Sequence, residues 1–315
     1  DYYSFASFFS QVKRKVGKDP REFIIFDANG EIQQPVSKKN AIPKFLGGNI
    51  PDTKNKIRRE LVADWLTTKD NPWFARNVSN IIWDHFFGVG IIHPVDDVRI
   101  SNPASNPELL DALANQFKVK NFSIKELAKD ICKSCTYQLA SKVNETNKMD
   151  SRNFSKAGIR RIRAEVLLDS IAQVTLTKNK FQGLPRGAKA TKIADGNTTT
   201  YFLSTFGRST RQSVCSCEVK LEPNLSQALH LLNGDSVHNR IIQGKRIETL
   251  INEKKTDAEI IKVIYLAALT REPTVKETNK LLGYFHEIKD PKARIQLHQD
   301  IFWAVLNSKE YISNH

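Results

Sequence analysis

Apolar residues at helical spacing, framed by capping and breaking residues, dominate the chain from residue 55 onward, and they dictate a multi-helix fold. The spacing predicts a helix over 55–66. Asn71-Pro72-Trp73 opens a second helix, with Pro72 in its first turn, that runs to Phe87 and stops at Gly88. Asn106-Pro107-Glu108 starts a third, through Phe117. Ser123 caps a fourth, reaching Cys135, with Glu126 three positions on as the return half of a capping box. Residues 159–174 read as helical. So do four or five segments after Leu225, including 257–269 behind the Thr256/Glu259 box, one behind Thr274/Glu277, and 293–306. Between them lie polar loops at 88–107 and 141–157, and a long ordered loop at 181–217 with one short strand. No repeat at solenoid periods is present. The fold class is therefore mainly α, a multi-helix globular domain with a small β-hairpin near the amino end and long ordered loops.

The amino end breaks the pattern. Residues 1–16 read as one short amphipathic helix ending at Gly17. Phe23-Ile24-Ile25-Phe26 and Glu31-Ile32-Gln33 then read as a hairpin turning at Asn29-Gly30. A start at Asp1 followed by Tyr2-Tyr3-Ser4-Phe5-Ala6-Ser7-Phe8-Phe9 suggests an end made by processing, or a piece of a longer polypeptide. That aromatic face calls for a partner upstream or on another chain. The organisation expected is a tail helix over 1–22, a hairpin and linker over 23–56, and a helical domain over 57–315.

The 315 residues carry a formal net charge of +14. Such an excess favours anionic partners: an acidic polysaccharide, membrane or protein, or nucleic acid. The cations are dispersed in short clusters (Lys13-Arg14-Lys15, Lys38-Lys39, Arg58-Arg59, Arg160-Arg161, Lys254-Lys255), which also suits a plain solvated surface. Nucleic acid ranks last, because aromatic residues are not interleaved with the basic clusters as stacking platforms require. No apolar stretch approaches the ~18 residues of a membrane span.

Four groups of residues could carry chemistry. Cys132-x-x-Cys135 and Cys215-x-Cys217 admit disulfides, free thiols or a four-thiolate zinc site. Disulfides lead if the compartment is oxidising, and Cys-x-Cys is one residue too tight for a paired zinc knuckle, so no metal is assigned. Thr136 follows Cys135 where c-type haem attachment needs His, so the chain binds no haem covalently through this motif. His85, His93 and Asp97, with Asp84 and Asp96, are candidates for acid–base or metal chemistry. They could equally serve a helix C-terminus and loop hydrogen bonds. Arg161 and Glu165, four apart and followed by Asp169, read as an intrahelical pair or as an arginine edge for an anion. Phe206-Gly207-Arg208-Ser209-Thr210-Arg211 reads as an anion cradle or a surface loop. No nucleophile elbow, P-loop or dinucleotide fingerprint is present.

Several stretches together resemble a family of secreted proteins of planctomycetes and related bacteria, a cytochrome-linked domain of unknown function, number 1553. They are residues 70–76, 83–90 and 106–113, Ser134 with 136–139, 161–165, and Cys215-Ser216-Cys217-Glu218. Residues 227–234, 269–274 and 303–311 complete the set, so the resemblance spans about 57–315. The opening Asp1–Phe9 looks like the tail of the family's usual partner, domain of unknown function 1549. In that family the partner carries a Cys-x-x-Cys-His motif just upstream. The resemblance thus implies a c-type haem on an upstream domain or partner chain packing on Tyr2–Phe9, and a periplasmic or cell-surface location. It further implies a redox or electron-transfer role, with His85 or His93 as distal ligand or proton donor. Arg161, Arg208 or Arg211 would then neutralise haem propionates or an anionic substrate; whether the chain itself is catalytic is left open. Two positions depart from the family pattern. Ile81 stands where the family tends to have Arg, and Cys135 stands where a non-cysteine is more usual. The alternative function is a non-catalytic basic binding or scaffold module for sulfated or acidic polysaccharide or an acidic protein.

Overall fold

The computed structural model describes residues 1–18, 22–196, 198–211, 227 and 235–314. The chain forms two compact units. Unit 1 comprises Asp1–Leu139 and Met149–Ser155; unit 2 comprises Ala140–Lys148 and Lys156–His315.

Unit 1 opens with helix α1 (Tyr2–Ala6) and one 3-10 turn (Ser7–Phe9). The helix expected over 1–16 ends there. Val12-Lys13-Arg14-Lys15-Val16 instead forms strand β1 (Val12–Val16), antiparallel to β2 (Phe23–Asp27). β-Branched ends and a central charge run suit a ribbon better than a helix. A hairpin is therefore present, but its partner strand lies upstream of Phe23 and not at Ile32. Gly30 serves a close approach: a Cβ there would sit 2.4 Å from the Ser10 carbonyl oxygen, and Ser10 Oγ donates to Gly30 O at 2.8 Å.

Phe8 is fully buried. It stacks on Phe45 at 5.0 Å, and Phe45 stacks on Trp65 at 5.2 Å. Much of the aromatic face of residues 1–9 thus finds its cover inside the same unit. Trp65 belongs to α2 (Arg58–Leu66), whose first two residues tie down the ribbon. Arg58 holds Glu31 through two hydrogen bonds, and Arg59 pairs with Asp27 at 2.7 Å.

The rest of unit 1 packs α3 (Pro72–Phe87), α4 (Pro107–Val119) and α5 (Ile124–Lys133) around Trp83, Leu110, Phe117, Leu127 and Ile131. The start signals read from the sequence are the ones used. Asn71 Oδ1 accepts from the amides of Trp73 and Phe74, and Asn106 Oδ1 from that of Leu109. α3 ends at Gly88, whose φ of 75° is left-handed.

In unit 2 the helix expected from residue 159 begins at Ala164 (α6, Ala164–Val174). Arg160 and Arg161 form a two-residue strand, β3 (Arg160–Arg161), paired with β4 (Ser313–Asn314). Its described loop contains a 3-10 turn (Ala190–Lys192) and α7 (Tyr201–Thr205), and no strand among the described residues up to 211. Then come α8 (Asp235–Gly244), α9 (Arg246–Asn252), α10 (Asp257–Leu269), α11 (Val275–Gly283), α12 (Pro291–Leu306) and α13 (Lys309–Ile312). Of the three predicted capping boxes, Thr256/Glu259 and Thr274/Glu277 are complete; at the third, Ser123 accepts from the Glu126 amide, but the Glu126 carboxylate turns to Lys120 and Lys129. Leu167, Ile171, Ile241, Ile260, Ile264 and Phe302 lie in the common core.

Two arginines lock the helix ends. Arg271 is held by both Glu277 and Glu310, and Arg271 beside it helps hold the Glu277 carboxyl down at about 2. Arg294 pairs with Asp257, whose other oxygen lies 2.9 Å from Nε2 of the buried His298. Nδ1 of His298 has no partner, which fits a neutral ring donating from Nε2. Burial pushes the His298 pKa below its ordinary 6.5, with Asp257 opposing and Arg294 reinforcing the shift. A histidine depressed in the folded state binds its proton more readily when unfolded. Its contribution is therefore complete above about pH 6.5 and drains away as the pH falls below that value. Denaturant titrations of the protein between pH 7.5 and pH 5 should show unit 2 losing stability, and His298→Gln should flatten that slope.

Candidate functional site

The sequence-derived candidates fall into two sets. In unit 1, His93 Nδ1 lies 3.9 Å from Asp84 Oδ1, and both His93 and His85 are exposed. The Asp97 carboxylate is bonded to Arg99, a neighbour two residues on, which holds its pKa below the usual carboxylate range. The His85 ring meets Phe86 edge-on. Among the described residues no three His, Cys, Asp or Glu side chains gather as a metal site. The feature that organises this region was not flagged from sequence. Asn80, fully buried, donates to Ile92 O and accepts from Ile92 N, both at 2.9 Å. That pair pins the 88–107 loop to α3. Gly90 passes directly beneath, where a Cβ would lie 2.3 Å from Ile92 O and 3.1 Å from Asn80 Oδ1.

Cys132 is half-buried and Cys135 exposed, and both carry free thiols in this structure. Cys132 lies in the last turn of α5, and Cys135 lies beyond its C-cap Ser134. Cys215 and Cys217 lie outside the described residues. Thr136 in place of His leaves Cys132 and Cys135 unsuited to holding a c-type haem.

In unit 2 the three candidate arginines serve the loop that precedes Arg211. Arg161 donates to Phe206 O at 2.8 Å and to Ile162 O, and burial lowers its pKa. Arg208 donates to Thr198 O and to Asp195 O, and it pairs with Glu165 at 3.3 Å. Arg211 donates to Ala194 O at 2.8 Å. Glu165 is thus partnered across the loop and not with Arg161, because Arg161 precedes the helix.

These clamps frame a cavity of about 410 Å³ lined by Leu168, residues 177–181, Thr200, Tyr201, Phe202, Asn239, Arg240 and Gln243. Leu168, Phe181 and Phe202 supply apolar surface. Lys178, Lys180 and Arg240 bring three cations, and none of its described lining residues is acidic. The wall is set by Asp169 on α6. Its carboxylate accepts from Asn179 Nδ2, from the amides of Ala190 and Thr191, and from Thr191 Oγ1. Asn179 is buried, and its Oδ1 has no partner. Arg240 donates to Thr177 Oγ1 at 3.1 Å; burial lowers its pKa, and the charge of Asp169 opposes that shift. The exposed Tyr201 stands at the rim. Sequence reading missed all of these except Asp169, since the lining comes from segments some sixty residues apart, with no shared spacing.

A family model described as a protein of unknown function (DUF1553) matches residues 58–285. The chain belongs to the DUF1553 family. No curated protein and no solved structure matches it. The DUF1553 span contains the Asn80 clamp and every residue of the cavity, whereas the β1–β2 ribbon precedes it.

Asn80→Ala would leave the Ile92 amide and carbonyl buried without partners, a loss of about 2–3 kcal/mol. Chemical denaturation of the protein should register that loss in unit 1. Asn80→Asp, which keeps an acceptor for the amide but sets a buried carboxylate against the Ile92 carbonyl, should recover none of it at neutral pH.

Proposed function

We propose that this DUF1553 chain is a binding module for acidic saccharides, with the unit 2 cavity as its site. The observation behind this reading is a polar cavity with three cations and, among its described lining residues, no acidic one. A carboxylate or sulfate suits Lys178, Lys180 and the part-buried Arg240, where charge-assisted hydrogen bonds are stronger than at an open surface. Tyr201 offers a flat face for the ring. The volume lies in the range that small ligands occupy. The net charge of +14 would draw polyanions toward the protein.

Calorimetric titration with glucuronate-containing and sulfated disaccharides tests the reading. Binding is expected at about 20 mM salt and should weaken steeply by about 300 mM. Arg240→Gln should cost about tenfold in affinity, the loss of one charge-assisted contact. Neutral disaccharides of the same size should bind at least as poorly. Absence of binding by every acidic saccharide at low salt would end this reading.

A second reading is a role beside a c-type haem carried by an upstream domain or partner chain, in the periplasm or at the cell surface. It rests on the resemblance in sequence and on Tyr2 and Phe9, which stay largely exposed beside the Phe8–Phe45–Trp65 stack. Purification from the native host with its neighbouring chain, followed by an absorption spectrum, checks it. A Soret band co-eluting with this polypeptide is expected, and its consistent absence would exclude the role.

A further inference from the structure

The β1–β2 ribbon has an apolar strand that nothing in unit 1 covers. Phe23, Ile24, Ile25 and Phe26 are 56%, 47%, 64% and 40% exposed. A strand with solvent on both faces has no use for four consecutive large apolar residues. That pattern belongs to strands buried on both faces within a sheet. β1 is built differently. Its Lys13, Arg14 and Lys15 are the side chains that blunt an outer edge against pairing. Arg14 lies 5.3 Å over the Phe23 ring, and Lys15 lies 5.6 Å over that of Phe26, so each face carries a cation above an aromatic.

The hydrogen-bond register shows which groups are on offer. Gly17 N donates to Glu22 O, and Ala28 N donates to Gln11 O. In an antiparallel ladder such pairs recur every second residue. Glu22, Ile24, Phe26 and Ala28 therefore turn their backbone groups toward β1. Phe23, Ile25 and Asp27 turn theirs to the free edge, where no hydrogen bond among the described residues meets them. Arg59 on Asp27 and Arg58 on Glu31 hold the base of the ribbon in place, so this edge is a preformed template.

We propose that the free edge of β2 is completed by a β-strand of a partner protein. That partner covers the Phe-Ile-Ile-Phe run on both faces and presents acidic side chains to Lys13, Arg14 and Lys15. A lipid surface supplies no backbone partners and covers only one face. A second copy pairing β2 with β2 would add five residues a side and leave both faces open, far short of the ~800 Å² per partner of a stable interface. The proposal is independent of the unit 2 cavity and lies outside the residues matched by the family model.

Amide hydrogen exchange on the full chain tests it. The probe is a ten-residue peptide alternating Val and Thr with Glu at both ends, at about 1 mM, the weak-binding range. Exchange at Phe23, Ile25 and Asp27 should slow severalfold, and less with a Lys-ended peptide. A peptide N-methylated on alternate residues should give no protection. Ile25→Pro, which removes an outward N–H and spares the ladder, should abolish the effect while near-ultraviolet dichroism of the Phe8–Phe45–Trp65 stack is unchanged. Unaltered exchange with the Glu-ended peptide would overturn the proposal, as would equal protection by the N-methylated peptide. Two further results would also overturn it: protection of the same amides by anionic phosphatidylglycerol vesicles alone, or by dimerisation of the chain alone.

Discussion

The carboxylate of Asp169 is the fixed point on which the unit 2 cavity depends. From one turn of α6 it gathers four donors, belonging to Asn179, Ala190 and Thr191. Those donors lie ten to twenty-two residues away along an irregular segment, which would otherwise have to satisfy its amides in water. By fixing that segment the carboxylate also orients Asn179. Its Nδ2 is consumed by Asp169, and its Oδ1 is buried without a partner. Loss of Asp169 would cost the wall its shape and Arg240 its nearest noted countercharge.

The basic character of the chain divides into an internal and an external share. Arg161, Arg208 and Arg211 spend their guanidinium groups on main-chain carbonyls of the loop before Arg211, and Arg246 donates to the Val174 carbonyl at the end of α6. Arg58, Arg271 and Arg294 brace helix ends through carboxylates. The trio at the cavity and the run on β1 are among the cations outside both groups. Net charge alone therefore says little about where an anion would bind; the pairing of each cation decides it.

Local signals were legible in the sequence, and long-range ones were not. Asn71, Asn106, Thr256 and Thr274 announced their helices because a cap acts within three residues. Gly88 announced an end for the same reason. The reading failed where a distant partner overrides local preference. Val12–Val16 became a strand because Phe23–Asp27 lies alongside it, and Arg161 left the helix because Ser313 pairs with it. Gly30 looked like a turn residue, yet it is needed for the approach of Ser10. Asp169 was visible but appeared to belong to an arginine edge. Its true partners are backbone amides, which leave no trace in side-chain spacing. Within the stretches 70–76, 83–90 and 269–274, which carry the family resemblance, stand the Asn71 cap, Gly90 beneath the Asn80–Ile92 clamp, and the Arg271 brace.

The two units thus present different surfaces: an open strand edge in unit 1 and a cationic cavity in unit 2. The claim that matters most is that the cavity is a saccharide site. A crystal structure of the protein soaked with a glucuronate-containing disaccharide tests it most directly. The account predicts density with the carboxylate against Arg240 and Lys178 or Lys180. Clear density for the sugar elsewhere on the surface, with the cavity holding only water, would contradict it.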